Sequence, residues 1–113
     1  MPGSSHLAGN TRLISMLKAQ KSRNSWYAAI CAAPALVFHA TGITTTELMV
    51  CYPSFSESLK KSNNLGSGRV VVCNKCITAD GPGSVIAFGL AIAECVAGKD
   101  KADQVAKDML VSR

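Results

Sequence analysis

A chain of 113 residues is long enough for one small domain. Its 48% hydrophobic content supports a packed core, which excludes global disorder. The net charge of +5 is dispersed: Arg12, Lys18, Lys21 and Arg23 are spread along one helix and aromatics make up only 5% of residues, so the charge reads as solvated surface rather than a nucleic-acid footprint.

The N-terminus shows no basic segment followed by an apolar one, as a secretory signal would. The longest apolar run, Trp26 to Phe38, is interrupted by Pro34 and is too short to span a bilayer. The expectation is a cytoplasmic protein with no membrane partner. In that reducing setting Cys31, Cys51, Cys73, Cys76 and Cys95 stay free thiols, and their odd number rules out a complete disulfide framework.

In chain order, Leu7 to Lys21 reads as an amphipathic helix with Leu13, Ile14 and Leu17 on one face. Trp26 to Ile30 is a continuous apolar strand, the pattern of a central parallel strand buried on both faces. Ala32 to Thr41 follows as a short helix, with Pro34 tolerated in its first turn and Gly42 as its stop. Thr44 to Thr46 and Leu48 to Tyr52 supply β-branched and apolar residues for a short strand, and Pro53 opens a helix through Lys61. Arg69 to Cys73 and Cys76 to Ala79 form a hairpin around Asn74-Lys75. Gly81-Pro82-Gly83-Ser84 leads into a long helix, capped by Ser84, whose stripe is Ile86, Leu90, Ala93 and Ala97. Lys99 to Leu110 is a last helix with Ala102, Val105, Ala106 and Met109 turned inward. This alternation of strands and helices predicts one doubly wound α/β layer.

Cys31 sits where the strand turns into the helix. Such a corner lifts a side chain out of the sheet and sets it at a helix N-terminus, where a thiolate is favoured. The residues alone leave two readings open: a nucleophile, or a small buried thiol. His39 lies about two helical turns further on, ~12 Å of rise away, and reads as a surface or half-buried imidazole. Cys73-Asn74-Lys75-Cys76 lacks a second ligand pair for zinc and straddles a turn, so it reads as ordinary hairpin. Gly81-Pro82-Gly83-Ser84 lacks the Lys-Ser/Thr pair of a phosphate loop. Glu47, Glu57 and Glu94 read as loop or solvated face.

The segment Ala28-Ala29-Ile30-Cys31-Ala32-Ala33-Pro34-Ala35 resembles the nucleophile elbow of the DJ-one (ThiJ/PfpI) family, which is glutamine amidotransferase-like in fold. Cys51-Tyr52-Pro53-Ser54-Phe55 resembles the loop after the elbow helix. Arg69-Val70-Val71-Val72, Thr78 through Ser84 and Phe88 through Glu94 resemble the family's hairpin and its final helix, so the match runs in order from about Leu7 to Val111.

The resemblance implies a flavodoxin-like (Rossmann-like) layered sheet, incomplete and lacking the first strands, with residues 1–113 as a partial domain from the elbow to the C-terminal helices. It implies Cys31 as catalytic residue, with Ala32, Tyr52, Pro53, Gly83 and His6 lining the site. It implies a cysteine-dependent glyoxalase or protein deglycase that responds to oxidative stress. The partners would be small reactive aldehydes or glycated thiols and amines, without metal or organic cofactor. The family's acidic partner of the thiol, and the Pro-Gly-Gly turn that supplies an oxyanion amide, fall upstream of Met1 in this alignment. The alternative is therefore a truncated, inactive fragment or a chaperone-like binding module, with a homodimer or a complementing chain as partner.

Overall fold

The computed structural model describes residues 2–113, so Met1, the reference point of the upstream alignment, lies outside the described residues. The amphipathic N-terminal segment is two helices rather than one: α1 (Pro2–Ala8) and α2 (Thr11–Ser22). The break falls at Gly9-Asn10, where the Asn10 side chain accepts the Leu13 N–H at 2.9 Å and starts α2 as its N-cap.

Strand β1 (Tyr27–Ile30) leads into a π-helical turn, Pro34–His39, referred to below as the elbow helix. The next segment does not form the expected strand. It passes as irregular chain, tied to the fold by a single bridge between Met49 and Leu65. Its polar groups are met by side chains instead: Val50 N–H donates to Thr78 Oγ1 at 3.0 Å, and Asn64 Nδ2 donates to the carbonyls of Thr45 and Glu47. A 3-10 turn (Pro53–Phe55) precedes α3 (Ser56–Lys61). The hairpin forms as expected from β2 (Val70–Cys73) and β3 (Cys76–Ala79), with Asn74 supplying the positive φ its two-residue turn needs. After a 3-10 entry at Pro82–Ser84 come α4 (Val85–Ala97) and α5 (Lys99–Asp108).

The sheet has the order β1-β3-β2, with β1 parallel and β2 antiparallel to β3. The fully buried strand is β3, paired on both sides, whereas β1 pairs on one side only among the described residues. The outer edge of β1 carries no strand among the described residues, and Ala28 is exposed there. The expected layered α/β fold is present in an incomplete form, a small mixed sheet with helices packed against it.

The main core lies between the sheet and the elbow helix. Phe38 is 2% exposed and meets the Tyr27 ring edge-on with centroids 5.2 Å apart. Ala35, Val37, Ile43, Met49, Cys51, Leu59 and Cys76 complete the cluster, and Ile14 and Leu17 of α2 pack on its border. Helix α4 crosses all three strands without joining that cluster, and α5 packs on α4. Of the stripe expected on α4 only Leu90 is buried, while Ile86 is 49% exposed. On α5, Ala102 and Ala106 are inside, whereas Met109 lies beyond the helix end and is exposed.

Glu47 is not a solvated loop residue. It is 5% exposed and accepts Lys21 Nζ at 3.0 Å and the Thr45 N–H at 3.1 Å, while Lys21 also donates to the Ile43 carbonyl at 2.6 Å. Burial pushes its carboxyl up, but the Lys21 and Thr45 hydrogen bonds outweigh burial and hold it below the ordinary value. A carboxyl depressed in the fold contributes stability above its unfolded pKa and loses it as pH falls through the folded value. The melting temperature should therefore fall on acidification below about 4.5, the ordinary glutamate value. Glu47→Gln should flatten that acid limb and cost about 1.5–3 kcal/mol at neutral pH, measured by thermal melts across pH.

Candidate active site at the strand-to-helix elbow

Cys31 directly follows β1, and its backbone is pinned on both sides. Its N–H donates to the Ala79 carbonyl at 3.0 Å, extending the ladder to β3 by one residue. Its carbonyl accepts the Tyr52 N–H at 2.7 Å. Between these bonds Cys31 adopts φ +67°, a left-handed conformation that costs a side-chain-bearing residue about 1–2 kcal/mol. Nothing in the amino-acid type asks for this; the surrounding chain imposes it. The buried Ala35, Val37 and Phe38 fix the elbow helix below, and Leu36 N–H closes on the Ala32 carbonyl at 2.9 Å. A strained corner that presents a nucleophile is the geometry of an elbow.

The corner helix differs from the expected α-helix. It is a six-residue π turn, in which Ala40 N–H reaches back to the Ala35 carbonyl at 3.1 Å, and Pro34 at its start offers no N–H. So short a turn has no helix dipole to aim at the thiol, and the presentation of Cys31 rests on the strained corner.

Cys31 is half-buried, unlike Cys51 and Cys76 at 4% and 0% exposure. Burial pushes the Cys51 thiol up to about 11, with the neighbouring Cys31 charge adding to it. Burial likewise pushes Cys76 up to about 12, reinforced by the charge of Glu47. These two thiols are held protonated, so neither competes with Cys31 for reagents in solution.

The predicted site residues divide into three groups. Tyr52, Pro53 and Gly83 line one open cleft of about 350 Å³, together with Arg69, Asp80 and Gly81. Tyr52 links this cleft to Cys31 through its backbone, and its ring stands over Gly81, where a Cβ would lie 3.5 Å from Cδ1. Ala32 does not line a pocket with its side chain, which is 1% exposed because the elbow helix folds over it. What Ala32 offers is its backbone N–H, which has no acceptor among the described residues. His6 stands exposed on α1, which packs against the elbow helix, and no hydrogen bond ties it to Cys31. His39 is at the far end of that helix, hydrogen-bonded to Ser62 Oγ at 2.9 Å.

Two features of the cleft were not read from the sequence. Ser84 does not cap α4; its hydroxyl donates to Asp80 instead. Asp80 also accepts Arg69 Nε at 3.1 Å, and the Ser84 and Arg69 contacts hold its carboxyl below the ordinary range. The register that sets Arg69 beside Asp80 follows from the hairpin, which pairs Val70 with Ala79, so the pair was available from the hairpin itself.

The sequence model of the DJ-1/PfpI family matches residues 1–95, which include the elbow and the cleft. The chain belongs to the DJ-1/PfpI family. It is 37% identical to protein DJ-1 homolog B of Arabidopsis thaliana over 109 residues, 96% of this chain and 25% of that protein. It is 37% identical to Drosophila melanogaster protein dj-1beta, covering 97% of this chain and 59% of the relative. Among solved structures, oxidized Toxoplasma gondii DJ-1 superposes with a TM-score of 0.96 at 36% identity, over 100% of this chain and 61% of that one. Drosophila DJ-1beta does so with a TM-score of 0.86 at 34% identity, also over 61% of its chain. The chain thus spans a quarter to three-fifths of these DJ-1 relatives, and the elbow lies within the shared part. No helix is long and apolar enough to cross a membrane among the described residues.

Proposed function

We propose that the chain carries the cysteine nucleophile of a cofactor-independent glyoxalase or deglycase acting on reactive dicarbonyls. The observation that supports this reading is Cys31 itself, a half-buried thiol held at φ +67° on a strand-to-helix corner. A relative of Caenorhabditis elegans, 28% identical over 99% of this chain and 60% of its own length, is described as a glutathione-independent glyoxalase.

In this reading the Cys31 sulfur adds to the aldehyde carbon and forms a hemithioacetal. The developing oxyanion is met by the unpaired Ala32 N–H, the position an elbow reserves for such a donor. The proton on that carbon then moves to the adjacent carbonyl carbon and the hemithioacetal hydroxyl proton passes to that carbonyl's oxygen, giving the thioester of a 2-hydroxy acid. Water cleaves the thioester, releasing the acid and restoring the thiol. The exposed Tyr52 hydroxyl hydrogen-bonds a substrate oxygen from the cleft side. The setting is the reducing cytoplasm, in keeping with five free cysteines.

Conversion of methylglyoxal to lactate without glutathione tests this directly. Wild type is expected to turn over and Cys31→Ala to fall to the uncatalysed rate. Equal rates in the two proteins would remove Cys31 from the reaction.

A second reading, a binding module that pairs with another polypeptide, draws on the unpaired outer edge of β1. It predicts that suppression of client aggregation survives Cys31→Ala, which the first reading does not require.

A further inference from the structure

The mechanism above leaves Cys51 unused, yet the fold places it against Cys31. The Tyr52 N–H that bonds to the Cys31 carbonyl at 2.7 Å belongs to the residue next to Cys51. With standard bond lengths, that contact holds the Cα atoms of Cys31 and Cys51 within about 7.5 Å. Disulfides join Cα atoms about 4.4–6.8 Å apart, so the pair is in bridging range with at most a small backbone shift. Cys51 Sγ lies 3.4 Å from the Tyr52 carbonyl, on the same short stretch that grips the elbow. The two thiols also sense each other electrically, since charge on Cys31 adds to the upward push on Cys51. Their exposures are complementary: Cys31 is half-buried, while Cys51 is 4% exposed and shielded from reagents in solution.

We infer that Cys51 is a resolving cysteine for Cys31, converting a peroxide-oxidised elbow into an intramolecular disulfide that external thiols reverse. This rests on the reading of Cys31 as the reactive thiol. The oxidant is a hydroperoxide. The Cys31 thiolate attacks its terminal oxygen, the O–O bond breaks, the sulfur loses two electrons, and the leaving alkoxide or hydroxide takes a proton. The product is Cys31 sulfenic acid. The Cys51 sulfur then attacks the Cys31 sulfur, the S–O bond breaks, and hydroxide leaves with the Cys51 proton as water. Two equivalents of an external monothiol return both cysteines to thiols.

The Cys31–Cys51 bridge closes off over-oxidation. Without Cys51 the sulfenic acid persists and a second peroxide carries it to sulfinic acid, which ordinary thiols do not reverse. The bridge also removes the nucleophile from dicarbonyl chemistry until it is reduced, so peroxide and aldehyde compete for one sulfur.

The test treats the full chain with hydrogen peroxide in slight excess, blocks free thiols by alkylation, and digests with trypsin and a glutamate-specific protease. Cleavage after Arg23, Glu47 and Glu57 puts the two cysteines on separate peptides, Asn24–Glu47 and Leu48–Glu57. The expected result is a linked pair of these peptides that dithiothreitol separates and that Cys31→Ala abolishes. In Cys51→Ser the sulfinic acid at Cys31 should rise several-fold at the same peroxide dose. Cys51→Ala serves as a second variant if the buried serine impairs folding. Sulfinic acid at Cys31 with Cys51 fully alkylated in wild type would overturn the pairing while leaving Cys31 as the reactive thiol. No oxidation at Cys31 would overturn both readings.

Discussion

Phe38→Ala is expected to leave much of the protein unfolded at ambient temperature. The side chain is 2% exposed and stands edge-on to Tyr27, joining the elbow helix to β1. Removing it costs about 3–5 kcal/mol, the transfer free energy of the ring plus the cavity left behind. Domains of this size are stable by only about 5–15 kcal/mol in total, so the loss is a large fraction. Urea titration followed by circular dichroism measures it. The same substitution should reduce the reactivity of Cys31 in the molecules that stay folded, because the elbow helix beneath the thiol loses its seat on the sheet.

The second large effect concerns strain at position 31. Cys31→Gly should abolish dicarbonyl conversion yet hold stability within about 1 kcal/mol. Glycine accepts φ +67° without strain, which offsets the backbone entropy it loses on folding. Cys31→Val should lose the same activity and also about 2 kcal/mol or more, because a β-branched side chain fits a left-handed backbone poorly. The contrast separates loss of a nucleophile from loss of the fold. Equal stability of the two variants would mean that the corner relaxes when cysteine is replaced, and that it is not imposed by the bonds to Ala79 and Tyr52.

Much of this was legible in the residues. The hairpin was given by two β-branched and apolar runs around Asn74-Lys75, and its strands fall where those runs do. The strand leading into Cys31 was given by continuous apolar character. What the pattern did not carry was position within the sheet. Trp26 to Ile30 is apolar enough for a strand with neighbours on both sides, and among the described residues β3 alone pairs with it. The failed strand at residues 48–52 has a related cause. Met49, Val50 and Cys51 are buried while Leu48 and Tyr52 are exposed, and the backbone N–H groups are satisfied by Thr78, Asn64 and Cys31 instead of a ladder.

The site was legible as a strand-to-helix corner and less so as a constellation. A strand-to-helix corner can be read from an apolar run, a cysteine, small residues and a proline. A positive φ at Cys31 cannot be read from its type, since left-handed non-glycine residues are uncommon. The unpaired Ala32 N–H is a property of the backbone and leaves no trace in side-chain identity. Glu47 shows the opposite error. Its charge suggested solvent, whereas Lys21, 26 residues earlier, meets it inside the fold.

The central claim, that the elbow makes Cys31 the reactive thiol of this chain, is tested most directly by site-resolved alkylation. The folded protein is exposed to limiting iodoacetamide at neutral pH, and the labelling of all five cysteines is followed by peptide mass spectrometry. Cys31 should label first and well ahead of the half-buried Cys73 and Cys95, with Cys51 and Cys76 silent until denaturant is added. Labelling of Cys31 no faster than that of Cys73 or Cys95 would contradict the account.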